Sequence, residues 1–187
     1  MEKAFIFHGT GASKDDHWFP WLEDKLEEKG VKVSRPEFPT PEGQELENWL
    51  KVLDQEEMKI DENTVLIGHS LGAVFILNIL NKRDLNVEAA YLISAWTGLL
   101  PDEQFNEWNS TFQDQDFDFE KIRNSVDKIY QFHSEDDPYV PIQMAEELAE
   151  NIDSKLHVKV DAGHFNADYG CKQFPELWKL LEMEIQS

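Results

Sequence analysis

Ser70 stands in Gly68-His69-Ser70-Leu71-Gly72, a G-x-S-x-G pentapeptide, between an apolar strand candidate (Thr64 to Ile67) and an apolar helix candidate (Ala73 to Leu80). A strand that turns sharply into a helix presents its serine on strained backbone, and the flanking glycines relieve the crowding. The pentapeptide alone is weak, because glycines flank serines in ordinary turns. A serine hydroxyl attacks a carbonyl only if a neighbouring base takes its proton, and that base needs an acid to orient it. The expected chain order in hydrolases of this type is Ser, then Asp or Glu, then His.

Two later segments supply that order. His133-Ser134-Glu135-Asp136-Asp137-Pro138-Tyr139-Val140-Pro141 follows one strand candidate, and Asp161-Ala162-Gly163-His164-Phe165 follows the next. Asp137 is the chosen acid, since the adjacent proline fixes the exit of the loop. Asp136 is the nearest competitor, and Asp136 and Glu135 otherwise read as a solvated acidic loop. Of the six histidines, only His164 follows the acid on a loop after a strand. His157 alternates with Leu156 and Val158 and is expected to face away from the core side of its strand. His8 and His69 adjoin the site, and His17 and His133 read as structural. A developing oxyanion needs aimed N–H donors. The main-chain N–H of Leu71 at a helix N-terminus is one candidate, and that of Thr10, in the loop His8-Gly9-Thr10-Gly11, is the other. This loop lacks the lysine of a phosphate-binding P-loop and the spacing of a dinucleotide fingerprint.

The elements that must carry these residues are legible as alternating runs. Strand-length apolar runs occur at Ala4 to Phe7, Val31 to Phe38, Thr64 to Ile67, Ala89 to Ala95, Lys128 to Phe132 and Leu156 to Val160. Helical faces lie between most of them: Trp18, Trp21, Leu22, Lys25 and Leu26; Leu46, Trp49, Leu50 and Leu53; Ile142, Ala145, Leu148 and Ala149. A last helical stretch runs from Leu177 to Ile185. Strands alternating with helices predict an α/β fold, with about six mostly parallel strands covered on both faces. Gly98 to Asn124 breaks the rhythm, with Pro101 and five aromatics in no strict period. It reads either as a small lid or pocket wall over the site or as a surface excursion anchored by its aromatics. Trp96, Phe105 and Trp108 are candidates for an apolar or aromatic acyl pocket, against the ordinary reading of large aromatics as core.

The 187 residues are long enough to bury a core without disulfides or metal, and one domain over 1–187 is the expectation. A hydrophobic content of 41% argues against disorder despite a formal net charge of -21. With 38 acidic and 17 basic side chains, the surface should repel nucleic acid and anionic lipid and favour neutral or cationic small molecules. The single cysteine, Cys171, cannot form an internal disulfide. No targeting segment is evident before the first strand candidate, and no apolar run approaches the roughly 20 residues that span a bilayer. The chain is therefore read as cytoplasmic and without a membrane partner.

These residues together resemble the small serine hydrolases of the α/β-hydrolase superfamily that include retinoblastoma-binding protein 9 and the bacterial YdeN-like proteins. The resemblance spans the chain: His17-Trp18 followed by Trp21, Gly68-His69-Ser70, Ser94-Ala95, Gln131-Phe132 leading to Asp136-Asp137-Pro138, and Gly163-His164-Phe165. It implies a Ser70, Asp137 and His164 triad, a compact sheet lacking the first two strands of larger hydrolases, and no large cap domain. It also implies hydrolysis of small-molecule esters or amides, carboxylesterase-like or aminoacyl-amidase-like; the expected mechanism uses no metal or other cofactor. The L-x-C-x-E tract that binds retinoblastoma-type pocket proteins is absent, so that partner is not carried over and any protein partner is unknown. The competing expectation is an interaction module that keeps the fold and acts through its surface. Transfer of the acyl group to an acceptor other than water is a third.

Overall fold

A computed structural model describes residues 1–186. Its strands are β1 (Lys3–Phe7), β2 (Lys32–Ser34), β3 (Thr64–His69), β4 (Val87–Ile93), β5 (Val126–Ser134) and β6 (Lys155–Lys159), and all pair in parallel in the order β2-β1-β3-β4-β5-β6. Each expected strand is present with shifted ends. β2 is much shorter than the apolar run from Val31 to Phe38 suggested, because Pro36 and Pro39 cannot donate to a ladder. β4 stops at Ile93, and Ser94 turns the chain away with φ 52°.

The helices are α1 (Phe19–Glu27), α2 (Leu46–Gln55), α3 (Leu71–Lys82), α4 (Glu103–Gln113), α5 (Phe119–Asn124), α6 (Ile142–Ile152) and α7 (Pro175–Ile185). Two cores separate by strand alternation. Phe5, Phe7, Leu66, Ala90 and Leu92 point to one face, under α2 to α6. Ala4, Ile6, Val65, Ile67, Tyr91 and Ile93 point to the other, under α1 and α7. Every residue of α3 from Leu71 to Leu80 is buried, which is why that helix reads as an unbroken apolar run rather than an amphipathic stripe.

The segment from Gly98 to Asn124 corrects the sequence reading, because it contains α4 and α5. Phe105 and Trp108 lie three apart, and Phe112 lies seven beyond Phe105, which is helical spacing. Asp102 caps α4 by accepting from the N–H groups of Gln104 and Phe105. Phe112 is fully buried, edge-on to Trp49 at 4.9 Å between ring centres. His157 is a second correction: its ring stacks on Phe132 at 4.9 Å, whereas Val158 on the opposite side is 43% exposed. β6 is an edge strand, incompletely covered on either face, so alternation alone does not identify its inner side.

Succession to the left of β1 and to the right of β3 creates a topological switch point between them. Ligands of open parallel sheets bind in the crevice beyond the carboxyl ends of strands at such a point. The loop after β1 and the turn after β3 meet there. No helix of the described residues is long and apolar enough to cross a membrane.

Candidate active site

Ser70 joins β3 directly to α3 with φ 56° and ψ −125°, a conformation that costs a non-glycine residue on the order of 1–3 kcal/mol. The turn is held by its N–H, which donates to the Ile93 carbonyl at 2.8 Å. Close approach explains the two glycines. A Cβ on Gly72 would lie on the Phe7 carbonyl oxygen and 2.6 Å from that of His8, and one on Gly68 would meet the Gly72 carbonyl oxygen at 2.5 Å. The start of α3 is thus seated against the end of β1, with the main-chain nitrogen of buried Leu71 immediately after Ser70.

Asp137 lies beyond β5 with its carboxylate enclosed. Its Oδ2 accepts from His164 Nδ1 at 2.8 Å and from Ser94 Oγ at 2.9 Å. Its Oδ1 accepts from the N–H groups of Tyr139 and Val140 at 3.0 and 3.1 Å. Burial opposes ionisation, but the hydrogen bond from His164 and these two N–H donors outweigh it and hold the carboxyl below its usual range. An ionised carboxylate only accepts, so the His164 proton sits on Nδ1 and Nε2 keeps a free lone pair. Behind the acid, His133 Nε2 donates to the Val140 carbonyl at 2.9 Å, and burial lowers its pKa, keeping it neutral.

The loop carrying His164 is fastened on several sides. His69 Nε2 donates to the His164 carbonyl at 2.7 Å, and Trp18 Nε1 donates to the Phe165 carbonyl at 3.0 Å. Asp136, expected to be a solvated acid, is exposed yet engaged: its Oδ1 accepts from Ser134 Oγ at 2.5 Å and from the N–H groups of Ala162 and Gly163 at 3.1 and 3.0 Å. Those donors lower its pKa, that of Ser134 most. Asp136 and Asp137 therefore divide the work, one holding the loop of His164 and the other its ring. The signal for this division, adjacent acids at a strand end, was visible in the sequence, but which acid took which task was not.

Across the crevice, the loop after β1 is fixed by His8. The Phe38 N–H donates to His8 Nε2 at 2.9 Å, and His8 Nδ1 donates to the Gly9 carbonyl at 2.9 Å. A Cβ on Gly9 would sit 2.8 Å from the Ser70 Cβ, which measures how closely this loop approaches the serine. Ser70, His164 and Thr10 line one cavity of about 220 Å³, with Trp96, Phe105 and Tyr139 among its walls. His17, read from sequence as structural, also lines it, and its Nδ1 accepts from the Ala167 N–H at 3.2 Å. Trp108 does not line it. One helical turn places Phe105 and Asn109 on the cavity side of α4 and leaves Trp108 edge-on to Phe105 at 5.6 Å. The segment from Gly98 to Asn124 is thus both pocket wall and core-anchored.

A larger open hollow of about 580 Å³ lies at the amino ends of β4 and β5, lined by residues such as Asp84, Asp118 and Ser125. It holds no pairing of nucleophile and base. Among the described residues, no group of three or more His, Cys, Asp or Glu side chains is arranged to hold a metal ion. Burial pushes the Cys171 thiol up to about 12, so it is not a thiolate nucleophile near neutrality.

Comparison with known proteins follows this geometry. A family model described as Serine hydrolase matches residues 4–183. YdeN of Bacillus subtilis (strain 168) is 34% identical over 182 residues, 96% of this chain and 94% of YdeN. The crystal structure of the B. subtilis ydeN gene product matches with a TM-score of 0.92 at 32% identity, over 100% of both chains. Serine hydrolase RBBP9 of Rattus norvegicus is 34% identical over 166 residues, 87% of each chain. Est1E from Butyrivibrio proteoclasticus, in a structure with ferulic acid bound, shares the fold at 16% identity, with a TM-score of 0.69 over 98% of this chain and 89% of that one.

Proposed function

The chain belongs to the serine hydrolase family, and we propose that it cleaves small esters or amides through an acyl-enzyme on Ser70. The observation that carries this reading is the Asp137–His164 pair: a 2.8 Å hydrogen bond to Nδ1 leaves Nε2 as a base in the same cavity as a serine on strained backbone. His164 Nε2 takes the hydroxyl proton as Ser70 Oγ bonds to the carbonyl carbon, and the carbonyl π electrons move to oxygen. The N–H groups of Leu71 and Thr10 stabilise that oxyanion. Collapse expels the alcohol or amine, which takes the proton from His164. Water then repeats the sequence, with His164 first as base and then as acid, and releases the carboxylic acid.

On this reading residues 1–187 act as one α/β-hydrolase domain. A cavity of about 220 Å³ with aromatic walls suits a short or aromatic acyl group. Carboxylesters and aminoacyl amides are the two substrate panels to compare, with an added alcohol or amine acceptor to detect acyl transfer. The deciding experiment is fluorophosphonate labelling with identification of the modified residue. Wild type is expected to label at Ser70 and turn over a short p-nitrophenyl ester, and Ser70→Ala is expected to do neither. Labelling or turnover that survives in Ser70→Ala overturns the reading.

A further inference from the structure

The segment from Gly98 to Asn124 enters the site through a closed circuit of hydrogen bonds that involves neither Ser70 nor the Asp137–His164 pair. The Gly11 N–H donates to Thr40 Oγ1 at 2.7 Å, and Thr40 Oγ1 donates to Gln44 Oε1 at 2.5 Å. Gln44 Nε2 donates to Asn109 Oδ1 at 2.7 Å and to the Trp108 carbonyl at 3.0 Å. Thr10 Oγ1 donates to the same Asn109 Oδ1 at 2.9 Å. The peptide bond between Thr10 and Gly11 closes the ring. Three segments distant in sequence, the loop after β1, the connection before α2 and the middle of α4, are thereby joined at one amide.

That amide has little freedom. Asn109 is 1% exposed and Gln44 is 4% exposed. A carbonyl-type oxygen has two lone pairs, and Thr10 and Gln44 each direct a donor at Asn109 Oδ1. α4 is already fastened to α3 by buried Phe112, whose carbonyl accepts from Asn78 Nδ2 at 2.9 Å, so this second buried polar arrangement is not needed for packing and instead specifies one loop geometry. The arrangement it specifies is that of Thr10 and Gly11, at the loop that approaches Ser70.

We propose that Asn109 is a positioning residue for the oxyanion site: through the Thr10 hydroxyl it fixes the direction of the Thr10 main-chain N–H. The inference rests on the reading of Thr10 as an oxyanion donor given above. Misaligning one such donor removes transition-state stabilisation while leaving ground-state binding in place, so the loss falls on kcat and not on KM.

The test uses the full chain with a short p-nitrophenyl ester and a trifluoromethyl ketone, which forms a tetrahedral adduct. Asn109→Leu is expected to lower kcat by roughly 10- to 100-fold, less than or equal to the loss of a whole donor, with KM within about threefold. Its affinity for the ketone should fall by a similar factor. Thr10→Val should act alike, and Thr10→Ser, which keeps the hydroxyl, should return most of that loss. Combining Asn109→Leu with Thr10→Val should cost no more than Asn109→Leu alone, since Asn109→Leu already removes the bond that Thr10→Val cuts. Thr10→Val and Thr10→Ser carry the test if Asn109→Leu does not fold. Wild-type kcat in Thr10→Val, or losses that multiply in the double variant, overturns the inference. Failure of the catalytic reading is separate, because it appears as persistent activity in Ser70→Ala.

Discussion

The chemistry of this site is divided among neighbouring residues of the same type, and Asp136 and Asp137 illustrate it. The sequence marks an acidic loop at a strand end and, through Pro138, favours Asp137 as the acid. It contains nothing that distinguishes a carboxylate facing solvent from one that faces solvent while accepting two main-chain N–H bonds from residues 162 and 163. That distinction requires the loop after β6 to fold back over the loop after β5. Because Asp136 touches no reacting atom, its removal should act through the placement of His164. Asp136→Ala is expected to lower kcat/KM by roughly 10- to 100-fold, the scale of a small misplacement of a reacting group. Fluorophosphonate should still label Ser70, more slowly. Unchanged steady-state kinetics in Asp136→Ala would show that His69 and Trp18 hold the loop without it.

Among the elements, α4 departs most from expectation. Its cap, Asp102, and its aromatic spacing were present in the sequence, but three of its faces carry different tasks. Phe112 anchors the core, Phe105 and Asn109 face the cavity, and Trp108 covers Phe105. A helix with work on several faces shows no single stripe, so periodicity reads it as irregular. Phe105 is half-buried at the cavity wall, and its removal should lengthen the space available to an acyl chain. With each buried methylene worth about 1–3 kcal/mol in discrimination, Phe105→Ala should raise the ratio of kcat/KM for a hexanoyl ester to that for an acetyl ester by roughly tenfold or more. The ratio in paired assays is the measurement, and an unchanged ratio would place the acyl group on another wall.

At the scale of the whole molecule, three buried histidines, His8, His69 and His133, are held neutral, chiefly because burial disfavours their charged forms. Their folded pKa values lie below the ordinary value of about 6.5, so below that pH the unfolded chain binds more protons than the folded one. The sign is therefore fixed: stability is full about one pH unit above 6.5 and declines as pH falls through that value, by up to about 1.4 kcal/mol per pH unit for each histidine. Carboxylates titrate lower, so the repulsion implied by a net charge of -21 is not relieved in the same window. Urea midpoints at pH 7.5, 6.5 and 5.5 in constant high salt should fall in that order, and a flat series would contradict the neutral assignments. The sequence by itself determined the class of fold, the six strands and the order Ser70, Asp137, His164, because hydrophobic period, turn residues and strand-end position are local properties of a chain. Only the tertiary structure decided that Asp136 fastens the loop of His164, that His157 faces a core, that Trp108 is shut out of the cavity, and that Asn109 reaches Thr10. Each of these depends on which side chain meets which across tens of residues of separation, and that is set when strands and helices pack, not by the pattern within any one of them.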